Sequence, residues 1–126
     1  MNILLVFLGA GIGGVLRHGI NLACARFLGP AFPWGTIAVN VVGSLLMGAL
    51  AGWLAYRADA QWSQPVRLFL ATGILGGFTT FSAFSLDAVL LWERGASMLA
   101  VGYVLGSVLL SLAGLALGNA LARLLA

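Results

Sequence analysis

Gly73-Ile-Leu-Gly-Gly-Phe-Thr-Thr-Phe-Ser-Ala-Phe-Ser85 sits in the middle of a segment that otherwise reads as membrane-spanning. Apolar residues flank it over 66–75 and 86–92. Three glycines (Gly73, Gly76, Gly77) and two threonines (Thr79, Thr80) weaken a helix at a depth where lipid offers the backbone no other partner. Non-helical backbone is tolerated there only when it is buried in protein or lines a polar cavity. Broken helices of this kind present backbone groups to an ion or a substrate. The centre of the chain is therefore expected to handle something small and hydrophilic inside a membrane.

Composition sets the class. The chain has 126 residues, 62% hydrophobic and 7% charged, with a mean hydropathy of +1.10. A soluble domain of this size has no interior large enough for so much apolar surface. Four apolar stretches, over 3–28, 36–56, 66–91 and 98–121, each approach or exceed the roughly 20 residues that a hydrocarbon core requires. The breaks between them fall at 29–33, 57–65 and 93–95, which leaves no room for an extramembrane domain. The expectation is an all-α integral membrane protein: one four-helix transmembrane domain over 1–126, its third helix broken mid-membrane. With no basic region before its first apolar stretch, the N-terminus is expected to be retained rather than cleaved as a signal. Cys24 is the only cysteine and reads as packing. His18 has no second His or Cys near it to build a metal site.

Six arginines and no lysine carry the positive charge. With four spans, Arg57, Arg67 and Arg123 fall on one side of the membrane and Arg26 and Arg94 on the other. Orientation follows Lys/Arg asymmetry in short loops, and three against two is nearly none. Such a chain can insert both ways round, and inverted copies then pair about an axis in the membrane plane. A single orientation set by other features fits the same counts. Four short helices are also few to enclose a pore, which favours an oligomer. Small residues spaced by four supply packing faces: Gly9 and Gly13, Ala10 and Gly14, then Ser44, Gly48 and Gly52, then Gly102 and Gly106, and Gly114 and Gly118.

Polar residues inside spans are expensive and mark function by default. Asn40 lies about a turn into the second span, with Ser44 one turn on. Tyr103, Ser107 and Ser111 share one face of the fourth as a hydroxyl line roughly 12 Å long. The third adds Thr79, Thr80, Ser82 and Ser85, interleaved with Phe78, Phe81 and Phe84. Taken singly, each hydroxyl fits a bond to the preceding turn of its own helix. Taken together, opposite an Asn and a broken helix, they read as a polar track. Asp59, Asp87 and Glu93 are placed at span ends or in loops, so no carboxylate is expected deep in the membrane. Cation pathways and proton-coupled exporters commonly use such carboxylates. The mid-membrane side chains are instead mostly donors, and aromatic rings add a positive edge. Phe81 and Phe84, three apart, can present that edge to an anion. The expected cargo is a small anion.

Three motifs then carry a resemblance over essentially the whole chain. Gly13-Gly14-Val15-Leu16-Arg17, Gly35-Thr36-Ile-Ala-Val39-Asn40-Val-Val-Gly43-Ser44 and Gly76-Gly77-Phe78-Thr79-Thr80-Phe81-Ser82-Ala83-Phe84-Ser85 together resemble the small bacterial fluoride channels, the Fluc or CrcB family. His18 stands where that family usually has Tyr, and Ala83 where it often has Thr or Ser. The resemblance implies a fluoride-selective channel for passive export across the bacterial inner membrane, built as an antiparallel, dual-topology homodimer with two pores. It implies that Phe81 and Phe84 of both copies form an aromatic box, that Asn40 donates to fluoride, and that Tyr103, Ser107 and Ser111 line the track. It also implies a structural sodium ion at the dimer centre. Main-chain carbonyls of Gly76 and Thr79 would hold it, with Gly77 and Thr80 as the neighbouring alternatives. Arg17 is similar to the family arginine near the pore entrance; attraction of anions and a contact to the carbonyls of the break both fit it.

The partners implied are fluoride, sodium, lipid and a second copy, with no nucleic acid. A small multidrug-type exporter is the first alternative, but it needs a carboxylate in the first helix, and this first helix has none. A non-transporting assembly protein leaves the broken helix and hydroxyl line without a purpose. No base, nucleophile pair or metal cluster suggests an enzyme.

Overall fold

The computed structural model describes residues 2–57 and 60–125, and every regular element among them is helical. The first two spans are α1 (Asn2–Leu28) and α2 (Trp34–Leu54). The third span comprises the short helix α3 (Ser63–Val66), a π-helical stretch (Arg67–Leu75), α4 (Gly76–Phe78) and α5 (Phe81–Glu93). The fourth is α6 (Ser97–Leu125). By length and hydropathy four segments can cross a membrane: Asn2–Leu28, Trp34–Leu54, Ser63–Glu93 and Ser97–Leu125. The limits expected from the sequence agree to within a few residues. Asp59, expected in a loop, lies outside the described residues.

Local chemistry explains where the helices stop. After α1 the chain reaches Gly29 at φ +86°, whose amide bonds the Ala25 carbonyl, and Pro30 prevents continuation. After α5, Gly95 takes φ +85°. Its amide bonds Trp92 O at 3.1 Å and that of Ala96 bonds Leu91 O at 3.0 Å, the paired closure of a Schellman motif. A side chain at either glycine would force an L-residue into the left-handed region.

The spans associate through missing side chains. On α2, a Cβ at Gly48 would run into the Leu115 carbonyl; on α6, one at Gly118 would run into the Leu45 carbonyl. Gly13 of α1 likewise leaves no room before Ile74 O and the Phe78 amide. Close backbone approach is how helices associate in lipid, where apolar burial between them gains little. Gly14, Gly102 and Gly106 meet nothing within 4 Å, so the chain covers only part of its small-residue surface. Large apolar side chains also point outward, among them Ile3, Phe7, Leu124 and Leu125. The interior holds Val39, Leu54 and Tyr103. Around Tyr103, the buried cluster of Phe84, Leu91 and Ala100 ties α5 to α6.

Helical geometry is interrupted at Thr79 (φ −84°, ψ 158°) and Thr80 (φ −153°, ψ 124°), both extended. The backbone groups released there are taken up by side chains. Thr80 caps α5 by accepting the Ala83 amide on Oγ1 at 3.2 Å. Asn40 grips the same residue twice, its Oδ1 accepting Thr80 N at 2.8 Å and its Nδ2 donating to Thr80 O at 2.9 Å.

Candidate functional site

The Asn40–Thr80 pair lies at the edge of a cleft of about 350 Å³ between α2, α5 and α6. Asn40, Ser44, Thr79, Thr80, Phe81, Phe84, Ser107 and Ser111 all line it. Residues up to 71 positions apart in the chain (Asn40 to Ser111) are thus brought to one place. Phe81 and Phe84 stand with ring centroids 5.6 Å apart, tilted 47°. Phe84 is buried, whereas Phe81 is 77% exposed and projects out of the chain.

The hydroxyls divide into two groups. Thr79 Oγ1 bonds Leu75 O at 3.0 Å and Ser85 Oγ bonds Phe81 O at 3.0 Å, the ordinary contact with the preceding turn. Ser107 Oγ is different. It is buried, lines the cleft and has no hydrogen-bond partner among the described residues. A buried hydroxyl without a partner costs free energy that a bound acceptor would recover. Asn40 adds a second donor, because an amide nitrogen carries two hydrogens and the Thr80 carbonyl takes one.

Tyr103 is placed apart from Ser107 and Ser111, although all three share a helical face. It does not line the cleft. Its ring packs behind Phe84 with centroids 5.2 Å apart, and its hydroxyl donates to Asp87 Oδ2 at 3.3 Å. Thr36 Oγ1 donates to the same oxygen at 2.7 Å. Asp87 therefore corrects the sequence reading: it is a half-buried carboxylate within α5, held by α2 and α6, and not an end or loop residue. Two donors from neighbouring helices make that burial tolerable. Its position three residues after Phe84 is the one signal the sequence offers; Thr36, which is 51 residues away, gives none.

Asp87 and Thr36 line a second cleft of about 370 Å³, bounded by Asn21 on α1, the turn at 29–33 and Arg94. Phe84, which lines the first cleft, packs on Tyr103, whose hydroxyl reaches the Asp87 carboxylate that lines the second. Arg17 Nε is buried without a hydrogen-bond partner among the described residues.

At the interruption, main-chain carbonyls lose their helical partners. In a continuous helix the Thr80 amide would close on Gly76 O and the Ala83 amide on Thr79 O. The first goes to Asn40 and the second to Thr80 Oγ1. The carbonyls of Gly76 and Thr79 thereby lose those partners. That of Thr80 accepts from Asn40 Nδ2.

Four helices long and apolar enough to span, with polar side chains lining clefts between them, mark a multi-pass membrane protein. Residues 4–119 match the family model described as CrcB-like protein, Camphor Resistance (CrcB), and the chain belongs to that family. It is 61% identical over 123 residues to a protein of Rhodopseudomonas palustris (strain BisB5) named fluoride-specific ion channel FluC, covering 98% of each chain. It is 56% identical over 123 residues to one of Nitrobacter hamburgensis named fluoride-specific ion channel FluC 2, again covering 98% of each. With a protein of Methylobacterium nodulans, also named fluoride-specific ion channel FluC, it shares 58% over 123 residues, 98% of this chain and 97% of the other. These relatives are named as channels, not enzymes.

Proposed function

We propose that this chain forms a fluoride-selective channel that lets fluoride leave the cell passively across the bacterial cytoplasmic membrane. The observation that carries the reading is the unpartnered Ser107 hydroxyl in the cleft of Asn40, Phe81 and Phe84. Fluoride is small and tightly hydrated, so it crosses only where several short contacts replace water together. Ser107 and the second amide hydrogen of Asn40 supply donors, Ser111 extends them along α6, and the edges of Phe81 and Phe84 face the anion with positive charge. Tyr103, which lines neither cleft in the single chain, joins the path through its hydroxyl beside Asp87. The carboxylate repels an anion less while Thr36 and Tyr103 donate to it.

The functional unit in this reading is an antiparallel homodimer with two pores, each using both copies. Exposed Phe81 and the uncovered glycines Gly102 and Gly106 support it, as surface that one chain leaves free. Arginines at both ends, with Arg123 beside Tyr56 at one and Arg94 bonded to Ala31 at the other, fit dual insertion. Arg17, unsatisfied in one chain, is assigned to the anion entrance.

The test is purified protein in liposomes. Passive fluoride efflux with little chloride flux and no need for a proton gradient is expected. Equal fluoride and chloride rates overturn the reading, and proton-driven movement of organic cations would favour the exporter.

Gly76 and Thr79 carbonyls from both copies are assigned to a structural sodium ion, which supplies fixed positive charge near the path. Because main-chain oxygens hold it, Thr79→Val is expected to retain the ion. Ion-replacement density on the dimer axis checks this, and an axis occupied by water alone removes the assignment.

A further inference from the structure

The turn at 29–33 is poorly held by its own backbone. Pro30 and Pro33 have no amide hydrogen to give, and the local closures are Gly29 N to Ala25 O, Trp34 N to Phe32 O and a long one from Ile37 N to Pro33 O. Among the described residues, one hydrogen bond ties the turn to a distant segment: the Arg94 guanidinium donates to the Ala31 carbonyl, across 63 residues. The next residue, Phe32, sets its ring edge-on to Tyr103 at 5.5 Å and 89°. Tyr103 in turn packs on Phe84 and points its hydroxyl at Asp87. A continuous chain of contacts therefore runs from an exposed arginine to Phe84, which lines the first cleft, and to Asp87, which lines the second.

We propose that Arg94 is a positioning residue for the path. By fastening the 29–33 turn to the turn after α5, it holds Phe32 against Tyr103 and so keeps the Tyr103 hydroxyl on Asp87. The inference rests on the channel reading for its effect on flux, but the strap is a property of the fold. Arginine suits the role because its side chain is always charged and its planar fork is pre-organised to donate. Released from Arg94, the turn keeps no hydrogen bond to a distant segment among the described residues, and the Phe32 ring, one of the two aromatic contacts of Tyr103, is free to shift off it.

The test uses the full-length protein with Arg94→Ala, Arg94→Lys, Phe32→Leu and the Arg94→Ala/Phe32→Leu double variant. Hydrogen exchange over 29–36 should rise about tenfold in Arg94→Ala, the scale of one charge-assisted hydrogen bond, and fall back in Arg94→Lys. In liposomes, Arg94→Ala should lower maximal fluoride flux about tenfold with half-saturation changed by less than about twofold, since the donors of the first cleft are untouched. Arg94→Lys should recover much of the flux. The double variant should be no worse than the poorer single, because both changes break the same chain of contacts. Unchanged exchange in Arg94→Ala overturns the proposal. So do normal flux despite raised exchange, and losses that multiply in the double variant without rescue by lysine. A wild-type protein that passes no fluoride removes the channel reading instead, and exchange then decides the strap alone: a rise rescued by lysine upholds it, and no rise overturns it.

Discussion

Fluoride efflux is expected to fall about tenfold or more for Phe81→Ile and for Phe84→Ile, because about 1.4 kcal/mol of lost stabilisation at the barrier is a factor of ten. Isoleucine keeps an apolar group of comparable bulk but removes the ring and its positive edge. The fold should survive both changes. Phe81 is 77% exposed in the single chain. Phe84 is buried against Tyr103 and Leu91, where a roughly volume-conserving swap usually costs less than about 1.5 kcal/mol. Asn40→Asp should do more, lowering efflux about a hundredfold through two effects of order 1 to 2 kcal/mol each. It places a negative charge where the anion must pass, and it turns a carboxylate oxygen toward the Thr80 carbonyl that now receives a hydrogen bond. The Thr80 amide keeps its acceptor, so the interruption at 79–80 should persist. Rates in liposomes, alongside size-exclusion profiles, separate loss of conduction from loss of folding. Unchanged fluoride rates in all three variants would remove the aromatic and Asn40 assignments.

Two or three lysines added near Arg57 should abolish fluoride resistance in cells that express this variant alone. The arginine count across the two faces is three against two, so the added charge would dominate orientation and leave no inverted partner. Co-expression with a copy carrying its lysines beside Arg94 should restore resistance, since each supplies the orientation the other lacks. Growth on fluoride and accessibility labelling of the two ends measure this together. Full activity of one strongly biased variant by itself would refute dual topology.

Much of the candidate site is legible in the residues alone. Asn40, Ser44, Phe81, Phe84, Ser107 and Ser111, polar or aromatic residues within apolar spans, converge on one cleft. The polar ones, Asn40, Ser44, Ser107 and Ser111, depart from their surroundings, and in a membrane that departure is costly. Tyr103 obeys the same four-residue spacing but ends on the far side of Phe84, because its long side chain finds Asp87 where the serines cannot reach. Asp87 is harder to place, since its position near the end of an apolar run suggests solvation. Its actual environment depends on Thr36 and Tyr103, 51 and 16 residues away.

Residue order is enough to establish a four-span membrane protein, the ends of its helices, and a third span whose backbone needs partners. Those properties are local: apolar length sets a span, glycine and proline end it, and glycines and threonines weaken it. The identity of the partners comes from the tertiary structure. It sets Asn40 on both polar groups of Thr80, leaves Ser107 without a partner among the described residues, ties Asp87 between α2 and α6, and joins Arg94 to Ala31. It also selects which glycines are covered, Gly13, Gly48 and Gly118, and which are left open, Gly102 and Gly106. Hydrogen bonds and close packing between helices depend on their rotation and depth relative to one another, and no spacing along a single helix records either.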